Sequence, residues 1–396
     1  MSREFNPSIA RLNTMSKQYT LSRRSFLKSG SLAIAAPAAA IPALAADNQS
    51  IPKILNQQDG MAYRRLGDTD IYLSAISLGG LVMEPDVHRY GIEKGVNLVH
   101  MSTSYIGGSS IVELGKIMKD MRDKVYIALK DNFIPYGKSN DDILKKLDEV
   151  LKTMNTDYVD FFMFNRNNGD DAGDPGILEL FTMLKEEGKV RYAGLTSHNP
   201  EIKASTNVGI KSGLYSLVMP AMNPKMFDAM AEEMKLAQEN KVGVMVMKSM
   251  SGVRDRDMQL AYIKKLMGNP AIATINKGIG SFEMFDDYAK AAKEVLTGQE
   301  DWSLYKYAQT NPKQDCMMCG ECTRQCPQGI DVSTIMRCSD YYYDQCGDAI
   351  QARATYAELP FSRRADRCID CETCEKGCPN HLPIRQHLAR SQAFFV

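Results

Sequence analysis

The chain has 396 residues, 44% hydrophobic and 24% charged, enough to bury two domain cores and too ordinary a mix for a disordered or fibrous protein. Its 48 basic and 48 acidic residues cancel, but residues 47–396 alone carry 42 basic and 47 acidic ones, so the body has no basic surplus to hold nucleic acid. No apolar run reaches the ~18 residues that cross a bilayer, which predicts a soluble body with no stable membrane span.

Residues 1–46 read as a leader. Ser22-Arg23-Arg24-Ser25-Phe26-Leu27-Lys28 precedes an Ala-rich, weakly apolar stretch that contains Pro37 and Pro42 and ends in Ala43-Leu44-Ala45. Basic region, short apolar region and small-x-small cleavage site follow the order of a secretory signal. The whole resembles a twin-arginine signal peptide, which implies carriage by the twin-arginine translocase to a periplasmic or otherwise exported location. The segment ahead of the arginines is long, so Met15 is a second candidate start. That pathway carries proteins already folded around their cofactors. Such export suits thiolates that would be exposed to disulfide chemistry if they arrived without metal. Residues 47–61 follow as a tail.

From about residue 62 to 298, short β-rich apolar runs alternate with longer stretches of helical period, the pattern of βα units around a parallel sheet. The expected strands are 75–78, 96–100, 125–129, 158–164, 190–195, 214–219, 242–247 and 273–275. Amphipathic stretches at 141–151, 177–187, 225–239 and 282–296 fall between them. Eight such units predict an α/β fold, a (β/α)8 TIM barrel, with chemistry at the C-terminal ends of its strands. A doubly wound sheet is the alternative, yet no G-x-G-x-x-G follows the first strand. The loop 165–176, rich in Asn, Asp and Gly, lies at the barrel mouth as a substrate lid or a plain solvated loop.

Several segments carry a specific likeness: Tyr63-Arg64-Arg65-Leu66-Gly67, Gly95-Val96-Asn97-Leu98-Val99, and Tyr105 with Gly107-Gly108-Ser109-Ser110. Asp157-Tyr158-Val159-Asp160, Gly188-Lys189-Val190-Arg191-Tyr192-Ala193-Gly194 and Val246-Met247-Lys248 extend it. Together they resemble the aldo-keto reductases, among which members with an appended C-terminal 4Fe–4S domain exist. The resemblance implies a barrel that moves hydride from a nicotinamide to a carbonyl while a tyrosine donates the proton. A phenol near pKa 10 is a poor acid at neutral pH unless an adjacent ammonium lowers it. The family supplies that ammonium with a lysine steadied by an aspartate, and a histidine bonds the substrate oxygen.

Residue by residue, Tyr105 falls at the tyrosine position and Lys130, in Ile127-Ala128-Leu129-Lys130, at the lysine position. The other two depart: His100 stands where the family has aspartate, and Asn165 where it has histidine. Neutral His100 could accept a hydrogen bond from Lys130 but supplies no negative charge. Asn165 can donate to an oxyanion but cannot shuttle a proton. Where the family holds the adenosine phosphate, this chain reads Lys277-Gly278-Ile279-Gly280-Ser281-Phe282-Glu283, and Tyr288 takes an asparagine position. Lys248, Lys277 and Ser281 remain as candidate contacts for NADP(H), with Thr196 and Ser197 for its carboxamide. Outside the cytoplasm a reversible nicotinamide carrier has no supply, so an exported enzyme would draw electrons from elsewhere.

Residues 299–396 offer that source. Cys316-Met317-Met318-Cys319-Gly320-Glu321-Cys322-Thr323-Arg324-Gln325-Cys326-Pro327 has the spacing C-x2-C-x2-C-x3-C-P, and Cys368, Cys371, Cys374, Cys378 and Pro379 repeat it. Three thiolates at that spacing wrap three corners of a cubane, and the proline turns the chain away. In two-cluster ferredoxins the fourth cysteine of each run binds the other cluster. That implies the sets Cys316, Cys319, Cys322, Cys378 and Cys368, Cys371, Cys374, Cys326. A zinc ribbon requires neither the third and fourth cysteines nor the prolines. The region reads as a mainly helical ferredoxin-type domain with two [4Fe–4S] clusters. Cys338 and Cys346, beside Tyr341-Tyr342-Tyr343, are buried small hydrophobes, a disulfide or substitute ligands.

The leading expectation is an exported iron–sulfur oxidoreductase. Its barrel pocket handles a small carbonyl- or quinone-like molecule, and two clusters pass electrons to or from that substrate or a redox protein partner. The second is an NADP(H)-dependent aldo-keto reductase with a modified tetrad. The third is a non-catalytic electron-transfer subunit whose barrel is a docking surface.

Overall fold

The computed structural model describes residues 54–80, 83–103, 105–130, 139–166, 169–197, 201–251, 253, 255–310, 316, 320–340, 349–357, 359–378 and 380–395. The expected leader, Cys319, Cys346 and the three consecutive tyrosines lie outside them. Strands β1 (Tyr63–Arg65) and β2 (Tyr72–Ser74) pair antiparallel ahead of the barrel. Eight parallel strands follow: β3 (Ile76–Gly79), β4 (Leu98–Ser102), β5 (Tyr126–Lys130), β6 (Val159–Asn165), β7 (Val190–Ser197), β8 (Leu217–Pro220), β9 (Gly243–Val246) and β10 (Ile272–Lys277). They close in sequence order, β10 pairing with both β9 and β3. Each is followed by a helix: α1 (Pro85–Glu93), α2 (Ser109–Met121), α3 (Asn140–Thr153), α4 (Pro175–Glu186), α5 (Ile202–Ser212), α6 (Ala231–Glu239), α7 (Arg256–Met267) and α8 (Phe282–Ala291).

The strands were visible because both their faces are covered. Phe161, Phe162, Met163 and Phe164 of β6 are all fully buried, so the strand reads as one apolar run instead of alternating. Two helices differ from expectation. The stretch from 225 becomes α-helical only at Ala231: the Asn223 side-chain oxygen accepts from the backbone N–H of Lys225 and Met226 and holds a turn there, and a 3-10 turn, Asp228–Met230, follows. The stretch 282–296 stops at Ala291 and unwinds through bonds from Lys293 N–H to Lys290 and Glu294 N–H to Ala291.

The β1–β2 hairpin closes the N-terminal end of the barrel. Leu66 and Leu73 are fully buried there, and Arg64 donates to the carbonyls of Asn269 (3.0 Å) and Ile272 (2.8 Å) where β10 begins. Gly67 turns the hairpin with φ +52°, and a Cβ on it would collide with the Lys241 carbonyl, so only glycine fits. Nearby, the buried Asp160 at the start of β6 accepts from Arg122 (3.1 Å), Arg191 (2.8 Å) and the Ile127 N–H (2.9 Å), pinning three strands together.

Helix α9 (Gly298–Thr310) docks on α7 through Lys264–Glu300 (2.7 Å) and Lys265–Asp301 (2.8 Å), so barrel packing continues past residue 298. Three longer helices then enclose a second apolar core, built on Ile335, Tyr356 and Leu388: α10 (Val332–Ser339), α11 (Ala349–Ala357) and α12 (Ile384–Phe395). Barrel and cysteine-rich region belong to one unit spanning Asn48–Val396. Helix α11 packs against the short 3-10 turn Tyr105–Gly108, and Lys225 Nζ donates to Asn380 Oδ1 at 3.2 Å. Both contacts lie at the C-terminal end of the barrel. Among the described residues no helix is long and apolar enough to cross a membrane.

Candidate active site and cysteine cavities

Strands β4 and β5 deliver Tyr105, Lys130 and His100 to one place. Ser102 is in register with Lys130, and His100 with Ala128; Tyr105 begins the turn just beyond β4. The Lys130 ammonium lies 5.5 Å from the centre of the Tyr105 ring, and the His100 ring centre 6.0 Å from it. Lys130 and His100 are buried. Asn165 ends β6, in register with Thr196 of β7. Phenol, ammonium and imidazole therefore share one pocket, with the amide on the next strand.

Burial first, and the Lys130 charge second, push the His100 imidazole down to about 3, so it stays neutral throughout the physiological range. The expected hydrogen bond from Lys130 to His100 is not made. His100 Nδ1 faces Asn276 Nδ2 at 3.3 Å instead, and Nε2 has no partner within the protein. The reason is strand geometry. β3 stands between β10 and β4, and Gly79 of β3 is in register with His100. A Cβ on Gly79 would lie 3.1 Å from Asn276 Nδ2, so the missing side chain leaves the gap through which Asn276 reaches across. Nothing in the sequence marks Asn276, which is 176 positions from its partner.

Orphaned polar atoms concentrate at this end. His100 Nε2, Asn165 Oδ1, Ser197 Oγ, Ser249 Oγ, Ser251 Oγ and Asn276 Oδ1 are buried without a protein partner. All stand on or just beyond the C-terminal ends of β4, β6, β7, β9 and β10. Buried polar groups are as a rule hydrogen-bonded, so such a concentration is what a polar ligand site looks like.

On the β9–β10 side three cations converge. Lys248 follows β9 with φ +52°, and Lys277 ends β10. Burial first, then the charges of Lys248 and Arg256, push the Lys277 ammonium down to about 8. Such mutual repulsion favours an anion between them. Arg256, which sequence reasoning missed, pairs with Asp287 at 2.9 Å and lies 4.6 Å over the ring of Tyr288. Tyr288 is fully buried and donates to Gln259 at 2.7 Å, so it works as packing for Arg256. The Ser281 hydroxyl caps α8 by accepting from the Met284 N–H at 3.1 Å. Thr196 and Ser197 are buried at the end of β7, Thr196 Oγ1 lying 3.8 Å from Met247 Sδ.

The cysteines form a second pair of sites. A small cavity of about 20 Å³ is lined by Cys368, Cys371 and Cys374 of the second run and Cys326 of the first. Another, also about 20 Å³, is lined by Cys316 and Cys322 of the first run and Cys378 of the second. Each therefore takes sulfur from both runs. Gly320 (φ +74°) and Glu372 (φ +61°) reverse the chain ahead of the short turns Glu321–Arg324 and Thr373–Lys376, which fold Cys322 and Cys374 inward. Burial, and then Glu375, push the Cys374 thiol up to about 11, so a thiolate there needs a positive partner. Among the described residues no three His, Cys, Asp or Glu side chains gather round a point as the ligands of one metal ion would. Cys338 is buried on α10, in the second core.

Known proteins resemble the barrel. The Aldo/keto reductase family pattern matches residues 84–303. An uncharacterized oxidoreductase of Bacillus subtilis, YqkF, is 23% identical over 314 residues, covering 64% of this chain and 98% of the relative. The L-glyceraldehyde 3-phosphate reductase of Escherichia coli K12 is 26% identical over 162 residues, covering 36% of this chain and 46% of that enzyme. The E. coli methylglyoxal reductase YeaE is 23% identical over 137 residues, covering 32% of this chain and 47% of that enzyme. Among solved structures, the aldo-keto reductase AKR11C1 of Bacillus halodurans superimposes with TM-score 0.50 at 22% identity, covering 62% of this chain and 96% of that one. With the eight-stranded barrel and a family pattern over more than half its length, the chain belongs to the aldo/keto reductase family.

Proposed function

We propose that this aldo/keto reductase family oxidoreductase is an exported iron–sulfur enzyme whose barrel pocket acts on a small carbonyl- or quinone-like molecule. The observation that carries the proposal is the crossed lining of the two cysteine cavities, three described thiols in one and four in the other. A cubane sets each thiolate on its own iron, so its ligands surround a volume instead of a point, and the residues present fit that demand. Bound clusters would supply one electron each, two in all, to reduce one substrate.

The chain's own residues handle the rest. The Tyr105 hydroxyl gives a proton to the substrate oxygen, and Lys130 beside it stabilises the phenolate left behind. The Asn165 amide is available to donate to the same oxygen. Neutral His100 supplies no negative charge to offset the burial of the Lys130 ammonium. Two of the relatives are reductases of L-glyceraldehyde 3-phosphate and of methylglyoxal, both small carbonyl compounds, which supports that substrate class.

Anaerobically purified protein should hold about eight iron and eight sulfide per chain, as two cubanes require; zinc in their place would sink the reading. For export, replacing Arg23 and Arg24 by Lys should strand the protein in the cytoplasm. The second reading, an NADP(H)-dependent reductase, is favoured by the cations Lys248, Lys277 and Arg256. Against it, Tyr288 and Asp287 already occupy Arg256. We expect NADPH to bind more weakly than about 100 µM, near −5.5 kcal/mol; a micromolar endpoint by titration would put that reading first.

A further inference from the structure

Resting on the cluster reading of the two cavities, the geometry assigns them an order. We propose that the cavity of Cys316, Cys322 and Cys378 is the inner site, joined to the barrel through Asn380 and Lys225. The cavity of Cys326, Cys368, Cys371 and Cys374 is the outer site, where electrons enter from a one-electron donor protein.

Position supports the inner assignment. Asn380 lines that cavity and accepts from Lys225 Nζ at 3.2 Å. Lys225 stands in the loop beyond β8, on the rim that also carries Lys130, Asn165 and Ser197. Helix α11, which lies between the two cysteine runs, packs against the turn of Tyr105, so the whole region leans on the open end of the barrel. Cys322 and Cys378 are buried.

Exposure marks the outer site. Cys368 and Cys371 are exposed, and Ile369 between them is 59% exposed. Electron transfer falls steeply with distance, so the group reached from solvent through exposed ligands is the one a partner protein can serve.

Charge sets a direction. A cluster becomes more negative on reduction, so an adjacent cation favours its reduced form. Lys225 brings an ammonium to Asn380 on the wall of the inner cavity, where the charged lining side chain, Glu321, is neutralised by Arg324. The cation of the outer cavity, Arg385, is neutralised by Asp370 (3.0 Å), Glu375 (3.0 Å) and Glu372 (3.4 Å). The inner site is then the better acceptor and electrons run inward. Each external donor is oxidised by one electron. Two such electrons, with one proton from the Tyr105 hydroxyl and one from solvent water, convert one carbonyl to an alcohol or one quinone to a quinol, and the Tyr105 phenolate is reprotonated from solvent.

The test is a redox titration of the whole anaerobic protein followed by electron paramagnetic resonance. Cys322→Ser and Cys371→Ser identify which signal belongs to which cavity. Lys225→Gln should lower the midpoint potential of the inner signal and leave the outer one in place, and Lys225→Arg should restore it. A shift of the outer signal, or none in either, overturns the ordering. Protein that binds no iron overturns the cluster reading itself, a result distinct from iron-loaded protein whose inner signal stays put.

Discussion

The two ends of the barrel treat polar groups in opposite ways. At the closed end, Asn97 is buried but saturated: its side-chain oxygen accepts from the Ser74 N–H at 2.8 Å, and its amide donates to Leu55 (3.0 Å) and Tyr72 (2.9 Å). Asp160 is satisfied by three donors. At the open end, six buried polar atoms among the described residues have no partner in the protein. The difference separates two kinds of family likeness. Gly95-Val96-Asn97 and Asp157-Tyr158-Val159-Asp160 are signature segments that hold the fold together, whereas Tyr105 and Lys130 are signature residues that face the pocket. Kinship read from the first kind says nothing about surviving chemistry.

Substitutions at the two ends should therefore fail differently. The largest effect is expected at the mouth: Tyr105→Phe removes one hydroxyl and should cut turnover about 10²–10⁴-fold, with melting temperature and iron content unchanged. Full activity in that variant would make the barrel a docking surface. At the closed end, Asp160→Asn should cost about 2–3 kcal/mol in urea unfolding, less than for a fully buried pair because Arg191 is partly exposed. Turnover of the folded fraction should be unaltered. A catalytic defect without a stability loss would erase the contrast.

A third contrast concerns pH. His88 and His100 are held neutral in the fold, pushed down to about 4 and about 3 by burial, while the unfolded chain protonates near 6.5. The unfolded state then binds more protons, so the stability they contribute is complete above about pH 6.5 and is lost as pH falls toward 3. His100→Gln should flatten that acid slope and leave the activity profile between about pH 6.5 and 8 unmoved. An activity limb near 6.5 that vanishes in the variant would show that His100 titrates in the pocket after all.

What the sequence revealed follows the range of the interactions. β6 announced itself because burial on both faces writes a continuous apolar run, and the capping residue Ser281 sits where a helix start is expected. Tyr105 and Lys130 came from a family likeness. The Asn276–His100 contact was invisible because it depends on strand order and on a side chain absent from Gly79. The link from Lys225 to Asn380, 155 positions apart, was hidden for the same reason. The convergence of Arg256 on Lys277 likewise needed the fold, since neither charge pattern nor spacing pairs them.

The crossed lining of the cysteine cavities also has a consequence in time. A chain still on the ribosome that has made only its first run owns Cys316, Cys322 and Cys326, yet can finish neither site, since one lacks Cys378 and the other lacks Cys368, Cys371 and Cys374. The roughly 50 residues between Cys326 and Cys378 take about 3–10 s to synthesise at ~5–20 residues per second. During that interval the first thiols stand ready without their full set of partners, and both sites reach completion within the same few residues of translation.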